Sequence, residues 1–241
     1  MEIPANKPLL LLPGLLCDGS VWQHQVRVLA DWGTAHSVEW SSEDSLPAMA
    51  QTVLRNAPER FSLAGHSMGG RVALEVYRAA PERVERIALL NTGYKPLAAG
   101  QAGEDETRGR YALLEIACSQ GMRAMAEQWL PPMIHPDRHA DTQLVEAILD
   151  MFARKTPEMF AAQIKALLNR PDATGVLEQI DCPALVLTGR EDGWSPPSRH
   201  SEIAGKIRSS KLVIVPDCGH MSHMERPEAV ASALREWLVT D

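Results

Sequence analysis

Cysteine is scarce in this sequence. Four cysteines occur among 241 residues, and they are far apart, without a CxxC pair: Cys17, Cys118, Cys182 and Cys218. This pattern argues against a disulfide framework, and a chain of this length can bury enough apolar surface to fold without a disulfide or a structural metal. We therefore expect buried thiols in a reducing compartment, and hence a cytoplasmic protein.

Long apolar runs and basic segments are also missing. The run Leu9–Leu12 stops at Pro13, which makes it too short for a membrane span or for the apolar part of a signal peptide. The residues before it lack the basic region with which a signal peptide begins. The formal net charge is -7, and no basic stripe offsets it. Neither nucleic acid nor an acidic membrane is therefore an expected partner.

Short apolar runs alternate with helical patterns along most of the chain. The predicted strands are Leu9–Leu12, Thr34–Glu39, Phe61–Ala64, Arg86–Asn91, Ala184–Gly189 and Lys211–Pro216. Among the helices between them, one would be capped by Ser20 and another spans Ser45 to Ala57. Such spacing suits parallel strands joined by helical crossovers. The expected fold class is α/β: a mostly parallel sheet of about six strands with helices on both faces.

The alternation is interrupted in the middle of the chain. From about Tyr94 to Asp172 no strand pattern occurs, and four helical patterns follow one another: Arg108–Cys118, Gly121–Leu130, Asp141–Ala153 and Pro157–Asn169. We therefore expect residues 1–93 and 173–241 to form the core domain. Residues 94–172 would be inserted into it as a helical cap.

A serine lies between two glycines at a predicted strand-to-helix turn. Residues 65–70 read GHSMGG, directly after one apolar strand and directly before a helical pattern. This is the nucleophile-elbow pattern G-x-S-x-G, in which a tight turn presents the serine hydroxyl at the top of a sheet. Ordinary glycine-rich turns and phosphate-binding turns can show the same pattern. A catalytic role for Ser67 therefore requires a base and an acid further along the chain.

An aspartate and a histidine follow two later strands. Asp192 comes just beyond the strand that ends at Gly189, and His220 lies just beyond the strand that ends at Pro216. Because the carboxyl ends of parallel strands face one crevice, Ser67, Asp192 and His220 are expected to meet there. The chain order Ser, Asp, His is that of α/β-hydrolases and not of the other serine-hydrolase folds.

These three residue types suit nucleophilic catalysis. A serine hydroxyl is a weak nucleophile until a base takes its proton, and an imidazole such as that of His220 can do so near neutral pH. Asp192 would hold the imidazole in the required tautomer. The negatively charged tetrahedral intermediate needs preorganised donors, and the backbone N–H of Met68, the residue after the nucleophile, is one of them.

Four segments carry a resemblance to a known family: residues 11–16 (LLPGLL), 65–70 (GHSMGG), 189–192 (GRED) and 219–227 (GHMSHMERP). On these motifs the chain resembles cofactor-free α/β-hydrolases of the esterase branch that includes the pimeloyl-carrier-protein methyl ester esterases. The resemblance implies that the backbone N–H of Leu15 is the second oxyanion donor. Many members begin with an antiparallel hairpin, which we expect to be missing or nearly so because only eight residues precede Leu9.

Other residues compete for the acid and base roles. Asp181 precedes its strand and so lies at the wrong end of the sheet, which leaves Asp217 as the next alternative to Asp192. His223 is the alternative to His220, although it lacks the preceding glycine and lies about one helical step further on.

Three further groups have less favoured chemical roles. His66 is expected to pack beneath the turn instead of taking part in the reaction. A metal site at His135 and His139 is disfavoured because Pro136 interrupts the helical turn that would bring them together. Cys17 is expected to line a pocket and not to act as a second nucleophile.

Apolar residues around the predicted crevice are candidates for substrate binding: Leu15, Leu16, Cys17, Trp129, Trp194 and Met221. The insertion is rich in methionine and also carries tryptophan and phenylalanine. At helical spacing such residues form either the core of a cap or the roof of a pocket, and the sequence favours neither. Flexible thioethers would suit a loosely specified apolar group.

Taken together, these features predict a serine hydrolase without cofactor or metal that cleaves a small to medium carboxylic ester through an acyl-enzyme. The same triad can act on lactones, amides or carbon–carbon bonds, and some proteins of this fold are ligand receptors. Residues 94–172 hold 11 acidic and 9 basic residues. This near balance makes a carrier protein a possible but disfavoured partner, and the apolar content of the insertion favours an uncharged small-molecule ester.

Overall fold

The computed structural model describes residues 8–239, and a six-stranded parallel sheet lies at its centre. The strands are β1 (Leu9–Leu12), β2 (Ala35–Ser37), β3 (Phe61–His66), β4 (Val84–Leu90), β5 (Ala184–Gly189) and β6 (Ser210–Val215). Their order across the sheet is β2-β1-β3-β4-β5-β6. The predicted fold class is confirmed, and the strand ends differ from the predicted ones by at most two residues. The expectation of a missing hairpin concerns residues 1–7, which lie outside the described residues.

Helices surround this sheet. They are α1 (Gln23–Val28), α2 (Leu46–Asn56), α3 (Met68–Ala79), α4 (Gln101–Gln120), α5 (Met122–Trp129), α6 (Thr142–Ala153), α7 (Pro157–Leu168), α8 (Thr174–Gln179), α9 (Pro197–Lys206), α10 (Ser222–Glu225) and α11 (Pro227–Val239). Within residues 8–239, no helix is both long enough and apolar enough to cross a bilayer.

The direction of the crossovers reverses once, between the neighbouring strands β1 and β3, which send the chain to opposite sides of the sheet. The step from β1 to β2 goes one way, and all later steps go the other way. Because parallel crossovers are right-handed, α1 lies on one face and α2, α3, α8 and α9 lie on the other. In agreement, α11 packs against α1, while α2 and α8 pack against α3. The carboxyl ends of β1 and β3 flank the reversal, which is where open parallel sheets bind ligands.

Helices α4 to α7 follow one another between β4 and α8. Helix α4 packs against α5 and α7, and α5 packs against α6. Helix α4 begins at Gln101 and not near Arg108 as predicted. Its first turns carry no apolar stripe that could have indicated this start, since only Gly103 and Ala117 along the helix are buried. We keep residues 94–172 as the proposed limits of the helical cap.

Two local predictions were wrong. Asp18, and not Ser20, caps the first helical segment, because the extended backbone at Asp18 lets its carboxylate accept the N–H of Ser20 at 3.0 Å. The four thiols are free, but they are not all buried: Cys118 is exposed and Cys182 is partly exposed. Cys118 lies on α4, most of which faces solvent.

Candidate active site

Ser67 lies at the turn between β3 and α3 with a strained backbone. Its φ is 53° and its ψ is -116°, a conformation that residues with a β-carbon seldom adopt. A β-carbon on Gly65 would lie 2.3 Å from the carbonyl oxygen of Gly69, and one on Gly69 would lie 2.2 Å from that of Leu12. Only glycine therefore lets β1, β3 and α3 approach this closely. This packing holds the Ser67 hydroxyl at the carboxyl edge of the sheet.

The structure brings Ser67, His220 and Asp192 together in one hydrogen-bonded chain. His220 Nε2 lies 2.9 Å from Ser67 Oγ, and His220 Nδ1 lies 2.9 Å from Asp192 Oδ2. His220 and Asp192 are buried. With Asp192 ionised, Nδ1–H of His220 donates to the carboxylate, which leaves Nε2 free to accept the proton of Ser67.

The surroundings of Asp192 keep its carboxylate ionised. Burial alone would raise its pKa, but the charge and hydrogen bond of His220, followed by hydrogen bonds from Asn91 and Ser195, lower the pKa to about 2. Oδ1 accepts the backbone N–H groups of Trp194 at 3.0 Å and Ser195 at 2.8 Å. The acid therefore presents a fixed negative charge to the imidazole.

Asn91 is a site residue that the sequence analysis missed. It follows β4 directly, and its Nδ2 donates to Asp192 Oδ2 at 2.9 Å. The hydroxyl of Ser222 donates to Asn91 Oδ1 at 2.5 Å, which fixes the orientation of the amide. The signal was available, because a polar residue directly after a strand of a parallel sheet lies at the same edge as Ser67.

Glu225 organises the main chain around His220. Its carboxylate accepts the backbone N–H groups of Gly219 and Met221, each at 3.1 Å. It also accepts the N–H of His135, in the segment predicted as the cap, at 2.8 Å. This buried carboxylate therefore ties the loop that carries His220 to that segment.

The ring of His66 packs between those of His220 and His223, and His66 also lines the cavity at Ser67. His66 Nε2 donates to the carbonyl oxygen of His220 at 2.8 Å, and the ring of His223 packs at 4.1 Å from that of His66. Burial, followed by the charge of His220, lowers the pKa of His66 to about 3. His66 is therefore neutral, and this hydrogen bond holds the main chain of His220 in place.

The loop after β1 lies directly against the nucleophile. A β-carbon on Gly14 would lie 3.3 Å from Ser67 Cβ. The N–H of Leu15, the next residue, makes no hydrogen bond within the described residues. The N–H of Met68 belongs to the first turn of α3, where N–H groups have no partner inside the helix. The two predicted oxyanion donors are thus available on either side of Ser67.

Similarity to known proteins identifies the family of this chain. The model of the alpha/beta hydrolase family matches residues 9–233. The chain belongs to this family. A pimeloyl-[acyl-carrier protein] methyl ester esterase of Vibrio campbellii is 29% identical to this hydrolase over 95% of this chain and 93% of its own. The similar protein from Nitrosomonas europaea, with the same name, is 25% identical and covers 96% of both chains.

A solved structure extends the likeness to three dimensions. A thermophilic esterase from Thermogutta terrifontis, solved with malate bound, has a TM-score of 0.85 and is 28% identical, covering 97% of this chain and 90% of its own. The resemblance stated from the four motifs is therefore confirmed at the level of the family and its esterase-type relatives.

A cavity of about 730 Å³ opens at Ser67 of the hydrolase. Five of the six predicted substrate-binding residues line it: Leu15, Cys17, Trp129, Trp194 and Met221. Leu16 does not line it, and this prediction was wrong. The backbone of Leu16 has a φ of 60°, its side chain is fully buried in the core, and its N–H donates to Gln163 Oε1 of α7 at 2.7 Å.

Two tryptophans form a wall of this cavity next to the base. Trp194 stacks on Trp129 with ring centroids 5.3 Å apart, and its ring contacts that of His220 edge-on at 5.0 Å. Trp129 also contacts Phe152 and Phe160. Aromatic residues of α5, α6 and α7 therefore reach the cavity, so they serve as core of the helical segment and as pocket lining together.

The surroundings of Cys17, and those of the alternative acids Asp181 and Asp217, do not suit a role in the reaction. Burial, followed by the nearby charge of Asp18, raises the pKa of the Cys17 thiol to about 12, so the thiol stays protonated. Asp181 precedes β5 and accepts the hydroxyl of Tyr77 at 2.8 Å, at the opposite edge of the sheet. Asp217 is exposed. Neither is within hydrogen-bonding distance of His220.

His135 and His139, the two histidines considered as metal ligands, form hydrogen bonds with the main chain of nearby residues. His135 Nδ1 accepts the N–H of Asp137 at 3.2 Å, and His139 Nε2 donates to the carbonyl oxygen of Pro131 at 2.9 Å. Within residues 8–239 no group of three or more histidine, cysteine, aspartate or glutamate side chains is arranged to hold a metal ion.

Proposed function

We propose that this α/β-hydrolase cleaves small to medium carboxylic esters through an acyl-enzyme intermediate, with Ser67 as nucleophile, His220 as base and Asp192 as the orienting acid. The observation that carries the proposal is the unbroken hydrogen-bonded chain from Asp192 through His220 to Ser67, with both distances at 2.9 Å. The strained backbone at Ser67 supports it, because strain of this kind concentrates at functional sites.

In the first half of the proposed reaction, Ser67 Oγ attacks the ester carbonyl while His220 Nε2 takes the hydroxyl proton. Negative charge develops on the carbonyl oxygen, and the N–H groups of Leu15 and Met68 are the proposed donors to it. The tetrahedral intermediate then collapses, and His220 passes its proton to the leaving alcohol. The product of this half is an ester between Ser67 and the acyl group.

In the second half, a water molecule attacks the acyl-enzyme. His220 takes a proton from the water, and the new tetrahedral intermediate releases the carboxylic acid as the proton returns to Ser67 Oγ. Asp192 stabilises the imidazolium each time it forms. These residues complete the cycle without a cofactor.

The cavity favours a small to medium substrate. Its volume of about 730 Å³ lies within the range of small-molecule sites. Its aromatic wall suits an apolar acyl chain, and we expect a peak of kcat/KM at acyl chains of roughly four to eight carbons. Each buried methylene should contribute about 0.8 kcal/mol until the cavity is full.

A carrier-protein substrate stays disfavoured. The basic residues of the helical segment that could dock an acidic carrier are already in ion pairs: Arg108 with Asp105, Arg110 with Glu106, and Arg123 with Glu127, Glu146 and Asp150. These pairs leave no broad basic face for docking among the described residues of α4 and α5.

Covalent labelling together with a substrate panel tests the proposal. Phenylmethylsulfonyl fluoride should label Ser67, as shown by peptide mass spectrometry, and the purified protein should turn over p-nitrophenyl esters of two to sixteen carbons. Ser67→Ala should abolish both and lower kcat by about a million-fold. Ser119→Ala, a change at an exposed serine of α4, is the matched control and should alter neither.

The panel also includes the alternative reactions. A lactone, an anilide and a dienoate diketone extend it to lactone, amide and carbon–carbon cleavage. The proposal is abandoned if the label maps to another residue, or if one of these compounds is turned over while every ester is left intact. Binding of an ester without multiple turnover would identify a receptor instead.

A further inference from the structure

The active-site cavity is basic, although the chain as a whole is acidic. The formal net charge is -7, yet the cavity is lined by five basic residues and two acidic ones: Arg71, Lys95, Arg110, Arg170 and Arg199, with Asp105 and Glu106. A surplus of positive charge in one cavity of an acidic protein raises the local concentration of anions.

Most of these charged groups already have ion partners. Glu106 serves two arginines at once, since it binds Arg110 at 2.9 Å and Arg170 at 2.8 Å. Lys95 and Asp105 are paired with exposed residues that do not line the cavity, Glu202 and Arg108. Among the described arginines of the cavity, this leaves Arg71 and Arg199.

Among the described residues, Arg71 and Arg199 hydrogen-bond only to uncharged oxygens. Arg71 Nη1 donates to the carbonyl oxygen of Lys95 at 2.9 Å. Arg199 Nη1 donates to the carbonyl oxygen of Trp194 at 2.7 Å and to Ser195 Oγ at 3.3 Å. Within residues 8–239 neither guanidinium lies in an ion pair. Each retains N–H donors for a ligand, because a guanidinium has five.

The two guanidinium-bearing side chains converge on Gly93. A β-carbon on Gly93 would lie 2.5 Å from Arg71 Nη2 and 3.5 Å from Arg199 Cδ. The carbonyl oxygen of Lys95 accepts from Arg71 and also from Arg170, at 3.3 Å. Burial, followed by the charges of Arg170 and Arg199, lowers the pKa of Arg71 to about 9. An anion bound there would relieve the cost of burying these cations together.

This basic group lies close to the nucleophile along α3. Arg71 follows Ser67 by four residues, and its backbone N–H donates to the carbonyl oxygen of Ser67 at 3.3 Å. Four residues of helix advance by about 6 Å, so the two residues lie one turn apart. Both residues also line the same cavity, so one small molecule in it can contact Arg71 and Ser67 together.

We propose that Arg71 and Arg199 form a carboxylate-binding subsite, and that the preferred substrate of this hydrolase is a small ester that carries a free carboxylate, such as a half-ester of a short dicarboxylic acid. The planar guanidinium fork matches the two oxygens of a carboxylate. The inference rests on the proposed esterase function and replaces the uncharged substrate expected from the composition of the insertion.

The test compares substrates that differ only in charge. Monomethyl esters of succinic, glutaric and adipic acid are paired with the methyl esters of succinamic, glutaramic and adipamic acid, in which a carboxamide replaces the carboxylate. For at least one chain length, kcat/KM of the wild-type protein should be about tenfold or more higher for the carboxylate, as a charged hydrogen bond exceeds a neutral one. The preference should shrink between 0.05 and 0.5 M sodium chloride.

Variants locate the subsite. Arg71→Gln and Arg199→Gln should each reduce the ratio of carboxylate to carboxamide kcat/KM at least threefold, mainly through KM. Arg60→Gln removes the same charge at the amino end of β3, the opposite edge of the sheet, and should change the ratio less than twofold. Glutarate should inhibit the wild-type protein competitively, and more weakly in either cavity variant.

Two results overturn the subsite. One is that the wild-type protein shows no preference for the carboxylate at any of the three chain lengths. This result does not depend on the folding of a variant. The other is a preference that survives in both folded cavity variants. Hydrolysis of the carboxamide esters separates the two proposals, since Ser67-dependent turnover of these neutral esters supports the esterase function whatever the outcome at Arg71 and Arg199.

Discussion

Asn91 Nδ2 lies 2.9 Å from Asp192 Oδ2, the same oxygen that accepts the hydrogen bond from His220. The amide and the imidazole thus hold the same carboxylate oxygen together. Asn91 can adopt this position because its φ of 48° lies in the left-handed region, which asparagine tolerates better than most residues. The orientation of the proposed acid therefore depends on a residue from a different strand.

Asn91→Asp should lower kcat/KM at least tenfold. The substitution keeps the shape of the side chain but places a second carboxylate against Asp192, and two carboxylates this close retain a proton between them. Asp192 would then stabilise the imidazolium of His220 less well. Steady-state kinetics on p-nitrophenyl butyrate measure the effect. Asn169→Asp, the same change at the end of α7, is the control, and equal activity in both variants would exclude this role for Asn91.

Asp192→Asn should keep the fold and lower kcat by about ten-thousand-fold. The amide can donate to Nδ1 of His220, which favours the tautomer that cannot accept the proton of Ser67. Circular dichroism verifies the fold, and single-turnover kinetics verify that the loss is in acylation. Asp217→Asn is the matched control because Asp217 was the rival acid. A loss below tenfold in Asp192→Asn would transfer the role to another acid.

Gln163→Leu should lower both the free energy of unfolding and kcat. Gln163 is buried on α7, and its Oε1 accepts the N–H of Leu16, next to the proposed oxyanion donor Leu15. Leucine fills a similar volume but leaves the buried N–H without a partner, which costs about 1–3 kcal/mol. Urea unfolding and kinetics measure the two effects.

Gln128→Leu is the control for Gln163→Leu. Gln128 lies on α5 and is exposed, so its replacement makes the same chemical change without leaving a buried donor. If both variants unfold at the same urea concentration and retain the same kcat, then α7 does not support the oxyanion loop.

The strands, and the meeting of Ser67, Asp192 and His220, could be predicted because their signals are local. An apolar run bounded by turn residues indicates a buried strand, and the strand-end rule then places Ser67, Asp192 and His220 at one edge. The same rule would have included Asn91, which directly follows β4. The start of helix α4 could not be predicted, because its first turns bury little apolar surface and therefore show no helical pattern.

Contacts between distant segments could not be predicted in this way. Leu16 and Gln163 are 147 residues apart, and no spacing pattern links them. The apolar character of Leu16 suggested a pocket, but its left-handed backbone turns the side chain into the core. The charge of the cavity could not be predicted from the balance of charges over residues 94–172, because Arg71 and Arg199 lie outside that range.

Three buried histidines make the stability of this hydrolase depend on pH. Burial lowers the pKa of His66 to about 3 and that of His200 to about 4, and it lowers the pKa of His223 well below 6.5. In the unfolded chain each would titrate near 6.5. Above that pH neither state binds these protons. As the pH falls from about 6.5 to about 4, the unfolded chain takes them up and the folded protein does not, so the free energy of unfolding falls by about 1.4 kcal/mol per pH unit for each histidine.

His223→Phe should therefore remove about one third of this slope. Neither ring nitrogen of His223 has a hydrogen-bond partner among the residues that the structure describes. The ring packs at 4.1 Å from His66 and 4.6 Å from Trp22, so a phenyl ring keeps the packing and loses the proton site. Relative to the wild-type protein, the variant should gain about 2 kcal/mol at pH 5 compared with pH 7.5. Asp192 also lowers the free energy of unfolding as the pH falls, but only below about pH 3.8, outside this window.

Urea unfolding followed by tryptophan fluorescence from pH 4.5 to 8 measures the slope, with His36→Phe at an exposed position as the control. A slope identical to that of the wild-type protein would show that His223 is not the buried, neutral histidine on which the prediction depends.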